Sequence, residues 1–283
     1  MKAITAIGIG GAFGVLLLAV LMEGGSPASL LNLPAFLIVV GGTLAATAAS
    51  TSLAQMKSIP VLYRVAFKGS SVDHAAAVRE MVAIAEKARR EGLLALESDL
   101  EALDDAYARK GLQLVVDGAD SDLVRAILQS EIEGLAERHA AKAEVFTTAG
   151  GFAPTLGILG TVMSLVHVLE NLSSPSQLGH SIAGAFLATL YGVGSANLVY
   201  LPVANKLKEL SADELAYREM LLEAILSIQA GDNPRMLAEK LEAYLPPSAR
   251  RSSEALMAEI RAGSQPAPIA EEAAQVVEEG NLG

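Results

Sequence analysis

The sequence predicts an all-α fold: a polytopic membrane protein with four transmembrane helices and a helical cytoplasmic domain. Four apolar runs each approach the roughly 20 residues that a helix needs to cross a hydrocarbon core about 30 Å thick. The 283-residue chain is 52% hydrophobic, with mean hydropathy +0.40, yet carries a net charge of −11. It is therefore too apolar to be wholly soluble and too charged to be wholly embedded. No segment shows a convincing two-residue alternation of a half-buried strand.

The first run covers about residues 4–22 and follows only Met1, Lys2 and Ala3. It is longer than the apolar region of a signal peptide, about 7–15 residues, and cleavage would leave an odd number of spans. Its glycines are no dinucleotide fingerprint, because Phe13 stands at the third glycine position and no strand precedes; Gly10 and Gly14 make a weak packing face instead. The second run, about 34–53, opens at Pro34, which suits a first helical turn where a missing N–H costs nothing. Residues 1–54 thus hold the first pair of spans.

Residues 55–145 read as a cytoplasmic helical domain. Asp73 precedes a helix whose Val78, Met81, Val82 and Ala85 form one apolar face, and Gly92 supplies its stop. LLALESDLEALDDAYARK reads as a second helix ending at Gly111. A third begins near Ser121 and meets no breaker before Thr147, so it is expected to run as one rod into the membrane.

Residues 146–204 form the second pair of spans, about 147–169 and 182–204. Neither contains Asp, Glu, Lys or Arg, whereas Thr155, Thr161, Ser164, Thr189, Ser195 and Asn197 do fall within them. Helices in lipid gain little from packing leucine on leucine, and associate where small side chains let backbones approach. Gly157 on one arm and Gly184, Ala188, Gly192 and Ala196 on the other are the expected packing positions. Pro154 and Pro202 each remove a helix hydrogen bond, and a simple antiparallel hairpin puts them at similar depth near one surface.

Ser211 and Glu214 have capping-box spacing for a helix closing at Gly231, and Asn233-Pro234 opens another that ends before Pro246-Pro247. Residues 205–247 are therefore C-terminal cytoplasmic helices. The tail, 248–283, reads as disordered from its Ala, Glu, Gly and Pro content. Lys and Arg are missing from the first and last loops and abundant between the second and third spans, so both termini are expected to be cytoplasmic.

With no cysteine there is neither disulfide nor thiolate chemistry, and His74, His139, His167 and His180 lack ligand spacing, so no metal is expected. The acidic balance argues against nucleic acid. No nucleophile with its base and no phosphate loop is present, so no catalytic residue and no enzyme activity are expected. Arg89, Arg90, Glu97 and Asp99 are the densest charge cluster, either a solvated face or an electrostatic docking patch. An ion-coupled pump needs a titrating group in the membrane, and these spans have none. Either the chain moves no ions or a partner helix brings the carboxylate.

The stretches APTLGILGTVMSLVHVL, SIAGAFLATLYGVGSANLVYLPVANKL, FLIVVGGTLAAT and ARREGLLALESD, in their order along the chain, resemble the MotA/PomA family of flagellar stator subunits, within the MotA/TolQ/ExbB superfamily. The resemblance runs from the first span to about Leu245. It implies an inner-membrane, ion-conducting subunit that forms a pentamer of itself around a MotB/PomB-type single-span partner, whose Asp takes up a proton or sodium ion. It implies no cofactor beyond the transported cation, with membrane lipid and the rotor protein FliG as further partners. By position, Pro154 and Pro202 match the family's two prolines, Thr189 the hydroxyl near the partner's Asp, and Thr161 a position that is Thr in sodium-driven members. Arg89 and Glu97, with Arg90 beside them, match the charges that engage the rotor. The alternatives are an ExbB/TolQ-like energiser, whose members generally have three spans, and a non-conducting membrane scaffold.

Overall fold

A computed structural model of the chain describes residues 4–69, 73–170 and 175–264, and all regular structure among them is helical. Helix α1 (Ile4–Met22) is followed by a 3-10 turn, Pro27–Leu30. The next span begins as α2 (Leu33–Phe36), widens through a π-helical turn, Leu37–Gly41, and continues as α3 (Gly42–Ser50). Asn32 caps it, its Oδ1 accepting from the Ala35 N–H at 3.0 Å. Helix α4 (Leu53–Lys68) opens on a capping box made by Ser52 and Gln55.

Asp73 caps α5 (His74–Glu91), and Gly92, at φ +88°, ends it in a backbone conformation that side chains with a Cβ resist. A 3-10 turn, Leu93–Leu96, and the single turn α6 (Glu97–Leu100) lead to α7 (Ala106–Val116). Helix α8 (Ser121–Glu170) is unbroken for 50 residues. After it come α9 (Pro175–Ser195), a second π-helical turn, Ala196–Tyr200, and α10 (Leu201–Ala230). Two shorter helices, α11 (Pro234–Glu242) and α12 (Ser253–Ser264), follow.

The chain divides into two compact units, residues 1–71 with 133–215 and residues 72–132 with 216–283. Among the described residues four stretches are long and apolar enough to span a membrane; the first unit contains Thr5–Met22 and Leu33–Ser50 whole and the greater part of Ser121–Glu170 and Leu178–Ala230. Its larger core packs Leu62 and Ala66 of α4 on Ala143 and Phe146 of α8 and on Val203, Ala204 and Leu207 of α10, with Ile9 of α1 against them. A smaller cluster joins Ala35, Val39 and Ala188. The apolar window of α1 is 0% buried. An exposed apolar strip of that length is untenable in water and fits lipid. The second unit has an apolar core of its own, in which Met81, Tyr107, Leu112, Leu128, Ile225 and Leu241 are each almost wholly buried.

Four sequence expectations differ from the structure. The segment after Gly92 is not one helix: Lys87 Nζ holds Asp99 at 2.7 Å, folding it back on α5, and Asp105 starts a new helix by accepting from the Tyr107 and Ala108 N–H groups. Gly111 is not a stop but sits mid-helix, where a Cβ would run into Ile225 Cδ1 and stand 2.9 Å from Leu128 Cδ1. Ser211 does not begin a helix, because α10 runs straight through it and its Oγ instead lies 3.1 Å from His139 Nδ1. A capping signature is a local preference, and packing on both sides of it overrides it. The tail read as disordered from residue 248 carries α12, which buries Leu256 and Met257; residues 265–283 of that tail lie outside the described residues.

Candidate functional site: the uncharged helix hairpin

The upper part of α8 and the α9–α10 rod meet through small residues. A Cβ on Gly157 would stand 2.9 Å from the Ala188 carbonyl oxygen and 3.2 Å from Gly192 Cα. A Cβ on Gly160 would meet the Ala188 methyl at 2.9 Å, and one on Gly150 would meet Leu201 Cδ2 at 2.7 Å. Of the expected packing positions, Gly157, Ala188 and Gly192 form this contact directly. Ala196 is buried, and Gly184 packs against the Asn32 side chain, at the start of the second span, instead of α8.

The close approach brings two hydroxyls together. Thr161 Oγ1 lies 3.0 Å from the Gly157 carbonyl, 2.9 Å from the Ala185 carbonyl and 2.7 Å from Thr189 Oγ1. Either hydroxyl can donate in the threonine pair; in the arrangement in which the Thr161 proton goes to a carbonyl, which can only accept, Thr189 donates to Thr161. Thr189 is exposed, and with its proton so used it offers only acceptor lone pairs outward. That is the electrostatics suited to a cation or to the proton of a neighbouring acid.

The two prolines separate. The contacts of Gly150 with Leu201 and of Gly192 with the Ala153 carbonyl put Pro154 level with the stretch from Gly192 to Ala196, where the π turn begins. Pro202 is level with residues preceding Gly150, an offset of roughly 10 Å at 1.5 Å per residue. The similar depth expected from a simple hairpin fails because glycine contacts, not loop symmetry, set the register. Pro202 lines a different cleft, of about 360 Å³, with Thr5, Gly8 and Ala12 of α1 and with Asn197 and Asn205. Its missing N–H lies next to the π turn, in which the Leu201 N–H reaches back to the Ala196 carbonyl.

Within the second unit, Arg89 and Arg90 end α5 and line a cleft of about 700 Å³ with Glu86, Arg235 and Glu254. Glu97 is exposed on α6 and does not line that cleft. Beside it, Glu80, Lys87, Arg90 and Asp99 line a second cleft of about 330 Å³. Partial burial pushes the Glu80 carboxyl up from its ordinary range, and the nearby charges of Asp104 and Asp105 push it further. Among the described residues no cluster of His, Asp or Glu could hold a metal.

Sequence reasoning missed Tyr191 and Asn32. The Tyr191 hydroxyl donates to the Leu30 carbonyl and accepts from the Asn32 N–H at 3.0 Å, fastening the turn before the second span to α9. A tyrosine inside an uncharged run must find a partner for its hydroxyl, and Asn followed by Leu-Pro is a cap signature; together they were the available signal.

A charge-free helix pair joined through small residues and a threonine pair, carried on a four-span all-α fold, is the architecture of a channel or motor type of membrane subunit. A model of the MotA/TolQ/ExbB proton channel family matches residues 99–220. Motility protein A of Bacillus subtilis (strain 168) is 39% identical over 250 residues, covering 87% of this chain and 92% of that protein. The flagellar MotAB stator complex from Bacillus subtilis matches with TM-score 0.81 at 39% identity, over 87% of this chain and 97% of that one. The C. jejuni MotAB structure matches with TM-score 0.82 at 31% identity, over 86% and 95%. The chain belongs to the MotA/PomA family of flagellar stator subunits.

Proposed function

We propose that this stator subunit forms a ring of five copies around a dimer of a MotB/PomB-type single-span partner, and that cation flow past the hairpin drives rotation of the ring. The observation that carries the reading is the outward-facing Thr189 hydroxyl on a span pair without a single Asp, Glu, Lys or Arg. Such a pair can line an ion path but supplies no carboxylate, so the carboxylate that gains and loses charge belongs to the partner. The solved relatives are complexes of MotA with MotB, which supports that assignment.

Protonation or cation binding neutralises the partner's carboxylate, and the neutral form, its proton or bound cation facing the Thr189 lone pairs, passes the apolar wall of the hairpin; release of the ion restores the charge. Pro154 lies beside the start of the π turn, where helix hydrogen bonds are already displaced, and acts as the hinge between steps. Pro202 shapes the cleft toward α1. Arg89, Arg90 and Glu97 engage the rotor protein FliG. By the distribution of Lys and Arg, both termini are cytoplasmic and the membrane is the bacterial inner membrane. The long match to motility proteins favours the stator over an ExbB/TolQ-like energiser.

The test is co-expression with the cognate partner in a non-motile host, with swimming measured while sodium is varied at constant pH. Restored swimming supports the reading, and its sodium dependence names the ion. Pro154→Ala is expected to abolish swimming while leaving the amount of inserted protein unchanged; normal motility in that variant removes the hinge.

A further inference from the structure

Helix α4 follows the second span after two residues and lies in the same compact unit as the spans. Its inner face, Leu62 and Ala66 with Ile59 and Tyr63 beside them, packs on Ile9 of the first span, Phe146 at the start of the third and Val203 and Ala204 at the end of the fourth. The helix is therefore held at the level where three spans end.

Among the described residues nothing covers its outer face. Leu53 is 71% exposed and Val61 57%, with Val65 and Phe67 also open. Between them run Lys57, Arg64 and Lys68, seven and four residues apart, which is one stripe on a helix. All three are exposed, and among the described residues no ion pair engages them. The helix contains no Asp or Glu, although the whole chain carries a net charge of −11. A basic stripe with apolar shoulders, fixed where spans end, is the composition of a helix lying in the headgroup layer. Its long basic side chains extend to the phosphates while their stems and the flanking apolar groups remain in the acyl boundary.

We infer that α4 is an interfacial helix whose Lys57, Arg64 and Lys68 form a binding surface for anionic phospholipid headgroups. The inference rests on the reading of the four apolar stretches as membrane spans. It assigns to α4 a lipid class, which the stator activity does not by itself require. Anchoring α4 also anchors the helices it packs on, α8 and α10, which bear Pro154 and Pro202.

The chain has no tryptophan, so a single introduced one is a clean reporter. The full chain carrying Val61→Trp, in complex with its cognate partner with every tryptophan of that partner replaced by phenylalanine, is reconstituted into phosphatidylcholine bilayers containing phosphatidylglycerol, with bromine on one lipid or the other. Each basic side chain near an anionic surface is worth about a fivefold preference. Brominated phosphatidylglycerol is therefore expected to quench at least about fivefold more effectively than brominated phosphatidylcholine at equal mole fraction. Lys57→Gln, Arg64→Gln and Lys68→Gln together bring that ratio close to one, and Lys57→Gln alone reduces it. The comparison of the two lipids in the chain with its charges intact stands without any charge variant.

A Leu17→Trp reporter on α1 serves as the control for the spans. If it is quenched by both lipids while the α4 reporter is quenched by neither, another protein surface, such as a second copy of this chain, covers α4 and the inference falls. Equal quenching of the α4 reporter by both lipids also overturns it, because the helix then lies at the interface without selecting a headgroup. An unquenched α1 reporter overturns the membrane reading itself.

Discussion

Gly157 and Gly192 meet backbone to backbone: a Cβ on Gly192 would stand 3.0 Å from Gly157 Cα and 2.6 Å from the Ala153 carbonyl oxygen. Both obstacles are main chain and cannot rotate away. Gly192→Ala is expected to destabilise the hairpin by about 1–3 kcal/mol, as overpacking does, and to abolish swimming. Gly194→Ala, where a Cβ meets nothing within 4 Å, is the control and is expected to be neutral in thermal unfolding and motility.

The threonine pair separates a structural hydroxyl from a working one. Thr161→Ala removes bonds to two carbonyls and to Thr189, and is expected to cost roughly 0.6–1.7 kcal/mol in unfolding, the scale of hydrogen bonds between helices in membranes. Thr189→Ala leaves the carbonyl bonds in place, so its stability loss is expected at the low end of that range. Single-motor torque is expected to fall further in Thr189→Ala than in Thr161→Ser, which keeps the outward lone pairs in position.

Gly111 is a packing glycine, and the obstacles above it are the ends of the Ile225 and Leu128 side chains. Gly111→Ala is expected to cost about 1–3 kcal/mol. Shortening the obstacle with Ile225→Val is expected to recover part of that loss, so the stability loss of the double variant in thermal unfolding should be smaller than the sum of the two single losses.

The Lys87 to Asp99 ion pair, with both side chains about a third exposed, closes the corner between α5 and α6. Lys87→Met is expected to cost no more than about 1 kcal/mol, and less at high salt. The exchange Lys87→Asp with Asp99→Lys should restore rotor engagement if the corner matters through this pair. Motility on soft agar compared across single and double variants checks it.

Glu80 gives a pH dependence with a definite sign. Its folded pKa is raised, so its contribution to stability is fully present below the ordinary carboxylate range and is lost as pH rises through the folded value. Glu80→Gln is therefore expected to raise the unfolding temperature at pH 7, by about 1 °C given the exposure of the site, with the gain vanishing in acid.

Much of this was legible in the residues. The four apolar runs, the Asp73 cap, the Gly92 stop and the Asn233-Pro234 start are all signals that act within a turn or two of themselves, and the helices obey them. The glycine contact was legible as a class of residue, though not as a pairing: small side chains announce close approach, while which glycine meets which depends on a register that only the assembled helices set. For the same reason the prolines were placed at equal depth. Ser211 and Gly111 were misread because each carries a strong local signature that long-range packing puts to another use. The Lys87 to Asp99 pair lay inside a recognised charge cluster, but the identity of the bonded partners follows from the fold of residues 92–105, which has no periodicity to read.

The π turn at Ala196–Tyr200 has a consequence for how α9 and α10 are keyed together. In a regular α-helix the eleven residues from Gly192 to Val203 return to within about 20° of the same direction, so one stripe would serve both ends. The extra residue in the turn changes the phase, letting Gly192 address the upper part of α8 while Val203, Ala204 and Leu207 address α4 and the base of α8. Deleting one residue there would bring the rod back into a single phase and swing its lower half out of its seat. Two engagements that a straight rod would have to make with one edge are here cut on separate edges, like the offset bits of a key.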